Sequence, residues 1–398
     1  MRSRFPGRVL IAALAVLDVL THPFGRSKPN SPGRILVIHH LLLGDTIMLT
    51  PLLKKLRQQF PEAEIVMTCP IAFVGIYESR PYGVEVLPFD ERDVGTVFGL
   101  LRQSGFDLTV VPAENRLSWL ARGLGSRWIV AFSGDRPAHK SWLVDELRDF
   151  PATPMAWGDL ACLLVDGPPP RPYRGEDWPA PDCAAFELPT GDYCVLHVGA
   201  STPLKLWEPE KWRCLVEHVE ARGYRVVLSA GPGEGPIIDE IDPEAHRVRF
   251  AGNLVLAQLW RLLAHAKLVV CLDTGVAHLA RVAGVPLVVI FGGGSASLFG
   301  GGEFWREAVE RKVTIPNFPC RDENVVFRRQ VPWAGNCART LRGCQAPRCL
   351  QQLPSDATIE AVDSLLMLIR LAPHHTTCCR WWAAVARRGR AGSGTPPL

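Results

Sequence analysis

The sequence predicts an α/β protein built from two doubly wound parallel sheets, and three observations carry that prediction. Short apolar runs alternate with helix-period segments from residue 34 onward, the pattern of repeated strand–helix–strand units. The alternation stops at Gly167 to Pro189, where seven prolines interrupt any period, and restarts at Tyr193. At 398 residues the chain exceeds one ordinary core and suggests about two. These breaks divide it into an apolar helix and linker (1–33), a first α/β domain (34–166), a proline-rich linker (167–192), a second α/β domain (193–372) and a basic tail (373–398).

At 47% apolar and 21% charged residues the composition is that of a globular protein rather than a disordered one. A formal charge of +4 is small for this length, and no zinc finger or basic helix supports a nucleic-acid partner. Of twelve cysteines, six are scattered through the first 271 residues. The others are Cys320, Cys337, Cys344, Cys349, Cys378 and Cys379, and no two form a CxxC pair. Free thiols in a reducing cytosol are favoured over structural zinc at Cys337, Cys344 and Cys349.

Residues Arg8 to Leu20 form an apolar run shorter than the roughly 20 residues needed to span a bilayer, and Asp18 interrupts it. Asp18 and the lack of a small-x-small cleavage site also argue against a signal peptide. On a helical wheel Val9, Leu10, Ala13, Leu17 and Leu20 share a face. Two readings stand side by side: a helix lying on a membrane surface, or one packed on the protein body. His22 to Gly33 reads as a linker.

Arg34 to His40 is a nearly continuous apolar run, as expected for a strand buried on both faces. A helix then opens at Thr50-Pro51, with Thr50 at the N-cap, Pro51 at N1, and Leu52, Leu53, Leu56 and Phe60 on the buried side. Strands at Glu64 to Thr68, Val84 to Pro88, Asp107 to Val111 and Trp128 to Phe132 continue the alternation, with a helix at Leu117 to Leu124. Asp45 falls at the carboxyl end of the first strand, where open α/β sheets form their ligand crevice. A carboxylate there can act as a general base on a hydroxyl, or simply cap the turn that follows.

In the second half the strands are Tyr193 to Gly199, Arg225 to Ala230, Leu268 to Leu272 and Leu287 to Phe291. Helices begin at Pro209 and near Leu254, and a short one follows Asp273. Three loops therefore converge on one sheet edge: Ser201 to Lys205, Gly231 to Glu234 and Asp273 to His278. The first turn of a helix has backbone N–H groups without intrahelical partners, and its dipole favours negative charge. Ser201, Thr202, Lys205 and Thr274 with those amides make a diphosphate cradle, and Gly275 lets a phosphate approach the backbone. Glu234 suits ribose hydroxyls. His278, four residues beyond Thr274, shares its helix face. The competing reading is a plain strand–helix–strand unit capped by Asp273, with His278 merely buried.

Taken together the motifs resemble the ADP-heptose:lipopolysaccharide heptosyltransferases, glycosyltransferase family 9. The resemblance rests on Ile35 to Ile38 followed by Gly44-Asp45 and Thr50-Pro51, and on His197 to Ser201 with Lys205 and Trp207. It continues in Asp273 to His278 with Ala283, Pro286 and Phe291-Gly292, in order, over residues 34 to 370. It implies a GT-B architecture, two doubly wound domains facing across a cleft, and inverting transfer of heptose from ADP-heptose to a lipid-linked glycan. No cofactor and no metal is called for, in keeping with the absence of a DxD motif. The resemblance makes Asp45 the base and Lys205 the diphosphate-contacting lysine. It places Thr274, Gly275 and His278 in the donor loop and Glu234 at the nucleoside. Pro316 to Leu353 and Arg380 to Arg390 fall outside the matching motifs.

The leading expectation is thus an inverting glycosyltransferase in the cytoplasm, in peripheral contact with the membrane. Another GT-B enzyme, such as a nucleotide-sugar epimerase, and a non-catalytic binding protein of the same fold remain as alternatives. Trp381, Trp382, Arg387, Arg388 and Arg390 suit an anionic membrane surface, and a disordered basic tail is the competing reading.

Overall fold

The computed structural model describes residues 5–21 and 26–371, so the tail with Trp381, Trp382, Arg387, Arg388, Arg390, Cys378 and Cys379 lies outside it. The chain divides into two compact units, residues 1–171 with 324–334, and residues 172–323 with 335–398. Residues 324–334, which the sequence pattern runs on within the second domain, thus group with the first.

The first unit begins with α1 (Phe5–Thr21), then β1 (Arg34–Val37), α2 (Leu43–Ile47), α3 (Thr50–Gln59), β2 (Glu64–Cys69) and β3 (Val84–Pro88). It continues through α4 (Val94–Leu101), β4 (Leu108–Val111), α5 (Leu117–Gly123), β5 (Trp128–Phe132), β6 (Glu146–Arg148) and α6 (Trp157–Ala161). Its six strands lie in the order β3-β2-β1-β4-β5-β6, all parallel. β1 is shorter than its apolar run because His39 leaves the ladder for side-chain bonding. Its N–H donates to Thr68 Oγ1 (2.9 Å), and that hydroxyl donates back to the His39 carbonyl (2.8 Å). Thr50 is not the cap of α3. Leu49 occupies the cap, and the Thr50 hydroxyl donates back to Ile47 O, because α2 runs almost directly into α3. Leu52, Leu53 and Leu56 are buried as expected, whereas Phe60 is only half-buried, because it falls at the C-cap where the chain leaves the helix.

One side of α1 packs on α5. Ile11 and Ala15 are buried there, and a Cβ on Gly123 would lie 2.9 Å from Leu14 Cβ, so the crossing needs glycine at that point. Of the face the sequence singles out, Val9, Leu17 and Leu20 are 51%, 57% and 71% exposed and Ala13 is exposed as well, whereas Leu10 is half-buried against the core. Asp18 pairs with Arg26. No helix among the described residues is long and apolar enough to cross a membrane.

The second unit contains β7 (Tyr193–His197), α7 (Pro209–Ala221), β8 (Arg225–Ala230), α8 (Gly235–Ile241), β9 (Val248–Ala251) and α9 (Leu256–Ala264). After them come β10 (Leu268–Leu272), α10 (Gly275–Val282), β11 (Leu287–Ile290), α11 (Ala296–Phe299) and β12 (Glu310–Val313). The hairpin β13 (Val325–Val326) and β14 (Arg329–Gln330) belongs to the first unit. α12 (Arg348–Gln351) and α13 (Ser355–Leu371) complete the second. Its sheet order is β12-β11-β10-β7-β8-β9, again all parallel. Trp207, Trp212, Leu215, Val219 and the α13 residues Val362, Leu365 and Leu366 bury one face of it. Both sheets are strand–helix alternations closed on apolar strands, which is the two-sheet GT-B-like class the sequence predicts.

Candidate active site

In the second sheet the strand order reverses at β7, which lies between β10 and β8. Open α/β sheets bind ligands outside the carboxyl ends of strands at such a reversal. β7 leads into the loop holding Thr202 and Lys205, and β10 leads into Asp273. Those three residues line one cavity of about 570 Å³. The Lys205 ammonium donates to the Asp273 carbonyl (2.9 Å) and reaches its Oδ2 at 3.4 Å. Asp273 is buried, and burial raises its carboxyl pKa while the charge and hydrogen bond of Lys205, with Arg281 and Arg321, pull it back. A Cβ at Gly294, in the loop after β11, would lie 2.1 Å from Asp273 Oδ2. Only a glycine leaves that carboxylate room.

The other expected donor residues surround this pair differently. Thr274 caps α10, and its hydroxyl is buried with no partner among the described residues. Gly275 begins the helix, so the amide-rich first turn follows directly on Asp273. Ser201 is exposed in the loop after β7. Glu234 folds back onto its own turn, accepting from Gly231 N–H (2.6 Å), above Gly199, where any Cβ would collide with its carboxylate. His278 is buried, with Arg281 Nη1 2.7 Å from its Nδ1, and Arg281 in turn binds Glu310 at 2.7 Å. Burial, then the charges of Arg281 and Lys205, hold its imidazole well below the usual range, so it is neutral. None of Ser201, Thr274, Gly275, Glu234 and His278 is part of the cavity lining.

The cavity's other wall was not anticipated. Residues Asn336 to Cys349 supply Asn336, Arg339, Arg342 and Arg348 together with the cysteines. The segment is tied to the loop after β11, since Cys337 N–H donates to Gly293 O (2.9 Å) and Asn336 Oδ1 accepts from Ser295 N–H (3.0 Å). Arg339 is held by both oxygens of Asp322, each at 2.8 Å. The available signal was the interleaving of three arginines with the cysteines, a basic run facing an anion site. The ten described cysteines are all thiols, and burial together with neighbouring Cys337 raises Cys320 to about 11. Among the described residues no group of three or more His, Cys, Asp or Glu is arranged to hold a metal ion.

In the first sheet the order reverses at β1, between β2 and β4. Asp45 lies in the first turn of α2, half-buried, just past the carboxyl end of β1. His39 stands at that edge, fully buried, and burial with the nearby His40 pulls its imidazole down to about 3. The carboxyl ends of β4 and β5 are closed by Arg329 from the β13–β14 hairpin. Its guanidinium donates to the carbonyls of Ala113 (2.6 Å) and Ser133 (2.9 Å) and to Asn115 Oδ1 (2.6 Å).

Comparison with known proteins places these units in a family. The model of glycosyltransferase family 9 (heptosyltransferase) matches residues 98–326. The chain is 23% identical over 359 residues to lipopolysaccharide heptosyltransferase 3 of Escherichia coli K12, covering 81% of this chain and 95% of that protein. Among solved structures, the family 9 glycosyl transferase of Veillonella parvula superposes with a TM-score of 0.66 at 16% identity, covering 86% of this chain and all of that one. The ADP-heptose lipopolysaccharide heptosyltransferase II of E. coli does so with a TM-score of 0.63 at 19% identity, covering 84% and 99%.

Proposed function

The chain belongs to glycosyltransferase family 9, and from that premise we propose that it transfers heptose from ADP-heptose to a lipopolysaccharide-core or similar lipid-linked glycan, inverting the anomeric centre. The observation that carries this reading is the Lys205–Asp273 pair at the β7/β10 reversal, opening on a cavity of nucleotide size with an arginine-bearing wall. Lys205, Thr202 and the amides opening α10 at Thr274 and Gly275 bind the diphosphate, and Ser201 lies at the edge of the same loop. Asp273 holds the lysine in place, Glu234 takes the ribose, and His278 keeps α10 rigid from within. Asp45 removes the proton from the acceptor hydroxyl. The oxygen then bonds to the sugar carbon as the bond to the diphosphate breaks, and ADP leaves with its charge met by Lys205 and the helix terminus. The enzyme works on the cytoplasmic side, in peripheral contact with the membrane through α1.

The test is a thermal-shift panel of ADP, UDP, GDP and CDP, each with and without magnesium, followed by turnover of ADP-heptose. ADP at about 100 times its dissociation constant stabilises by roughly 2.7 kcal/mol. We expect ADP alone to do so without metal. We expect Asp45→Asn to retain that shift and lose turnover about a thousandfold. A response to UDP or GDP instead removes the heptose donor, and near-normal turnover in Asp45→Asn removes the base.

A further inference from the structure

On the first unit, α1 borders a cavity of about 450 Å³ that the reaction above leaves unused. Its lining carries four cations, Arg8, Arg116, Lys140 and Arg328, against two carboxylates, Glu91 and Glu114. Both carboxylates are already satisfied. Buried Glu91 pairs with Arg116 and with Arg8 (3.4 Å), and Glu114 accepts from Arg116 Nε at 2.6 Å. Lys140 is held by Asp135. Arg328 is exposed at the turn of the β13–β14 hairpin and makes no ion pair among the described residues. The cavity therefore presents an excess of positive charge.

Immediately beside it α1 turns a row of apolar side chains to solvent: Val9, Ala13, Val16, Leu17 and Leu20. Ala12 borders both the row and the cavity, so the two form one continuous surface. Trp119, half-buried, lines the same cavity and donates its indole N–H to the His139 carbonyl (3.2 Å). An anionic lipid in a bilayer presents the complementary pair, a phosphate directly above an apolar layer. A helix too short to span, with one apolar face, lies along that boundary.

We propose that this cavity takes the phosphate headgroup of an anionic bilayer phospholipid, while the outer row of α1 lies among the upper acyl carbons. The inference deepens the membrane contact proposed above and rests on that part of the reading. The vesicle experiment asks nothing of the donor site, so the two fail separately.

The experiment is flotation of the full chain with vesicles of phosphatidylcholine alone and of phosphatidylcholine mixed with phosphatidylglycerol. We expect strong binding only to the mixed vesicles, weakened roughly tenfold or more by Arg328→Glu. Arg213→Glu, a matched charge reversal on α7 of the second unit, should leave it unchanged. Val16→Asp with Leu17→Asp should abolish binding to the mixed vesicles. ADP-induced stabilisation of each variant reports that the second unit is intact, and circular dichroism reports overall folding. Equal binding of wild type to both vesicles overturns the headgroup site, as does equal loss in Arg328→Glu and Arg213→Glu, which would mark diffuse attraction. A dimer by sedimentation that Leu17→Asp dissociates would assign the apolar row to a second copy and also overturn the proposal. Absence of any ADP response with vesicle binding intact would sink the donor reading alone.

Discussion

A lysine in a loop is ordinarily solvated, but Lys205 is held by two oxygens of a single buried residue. That arrangement fixes a positive charge at the cavity wall before any ligand arrives, which lowers the ordering cost of binding an anion. It depends on Asp273, and Asp273 depends on the space at Gly294. In Gly294→Ala the new methyl would sit 2.1 Å from Asp273 Oδ2, so the carboxylate must move and take the ammonium with it. We expect ADP to bind about tenfold or more weakly by calorimetry, with secondary structure unchanged. Unaltered affinity would show that the Lys205–Asp273 geometry contributes nothing to the nucleotide. Lys205 and Asp273 were legible in the sequence because each ends a strand-to-loop transition of strong pattern. Their mutual bond was not, since residues 68 positions apart leave no local trace of their contact.

At the scale of elements, the legible parts were the parallel strands of five or six residues. Val84–Pro88, Trp128–Phe132, Arg225–Ala230 and Leu268–Leu272 have the bounds their apolar runs predict. The short edge strands and the β13–β14 hairpin were not legible, because two-residue strands carry no period. Arg329 in that hairpin is 2% exposed and serves the Ala113 and Ser133 carbonyls just past the ends of β4 and β5, a role that no local pattern announces. Replacing it with methionine fills some of the volume but strands those acceptors, and Asp135, 4.0 Å away, loses a neighbouring cation. Breaking a buried charged network of this kind costs about 3–5 kcal/mol. We expect Arg329→Met to lower the urea midpoint accordingly while ADP affinity, which we assign to the second unit, stays within about twofold. A midpoint unchanged from wild type would mean that water replaces the guanidinium at no cost.

Over the whole molecule the buried histidines set how stability responds to acid. His39 in the first unit and His197 in the second are pulled down by burial, to about 3 and about 4, and His278 is held low by burial with Arg281 and Lys205. In the unfolded chain each titrates near its ordinary value of about 6.5. Below that pH the unfolded state binds protons that the folded state refuses, so the contribution of these groups is complete above about 6.5 and is lost progressively toward about 4. Each group changes the unfolding equilibrium by up to about tenfold per pH unit in that window. Paired carboxylates such as Asp242 and Asp363, whose pKa values are lowered, lose their contribution at still lower pH. The two sources therefore separate along the pH axis. The His197 ring stands within hydrogen-bond distance of Ser229 Oγ, 3.1 Å away, and glutamine can keep a polar contact there without titrating. We expect urea midpoints to fall steadily from pH 6.5 to 4.5, and His197→Gln to show a shallower fall over the same range while starting from a lower midpoint at pH 7.5. A flat profile in wild type would mean that the imidazoles are protonated in the folded protein, and equal slopes in the two proteins would move the effect away from His197.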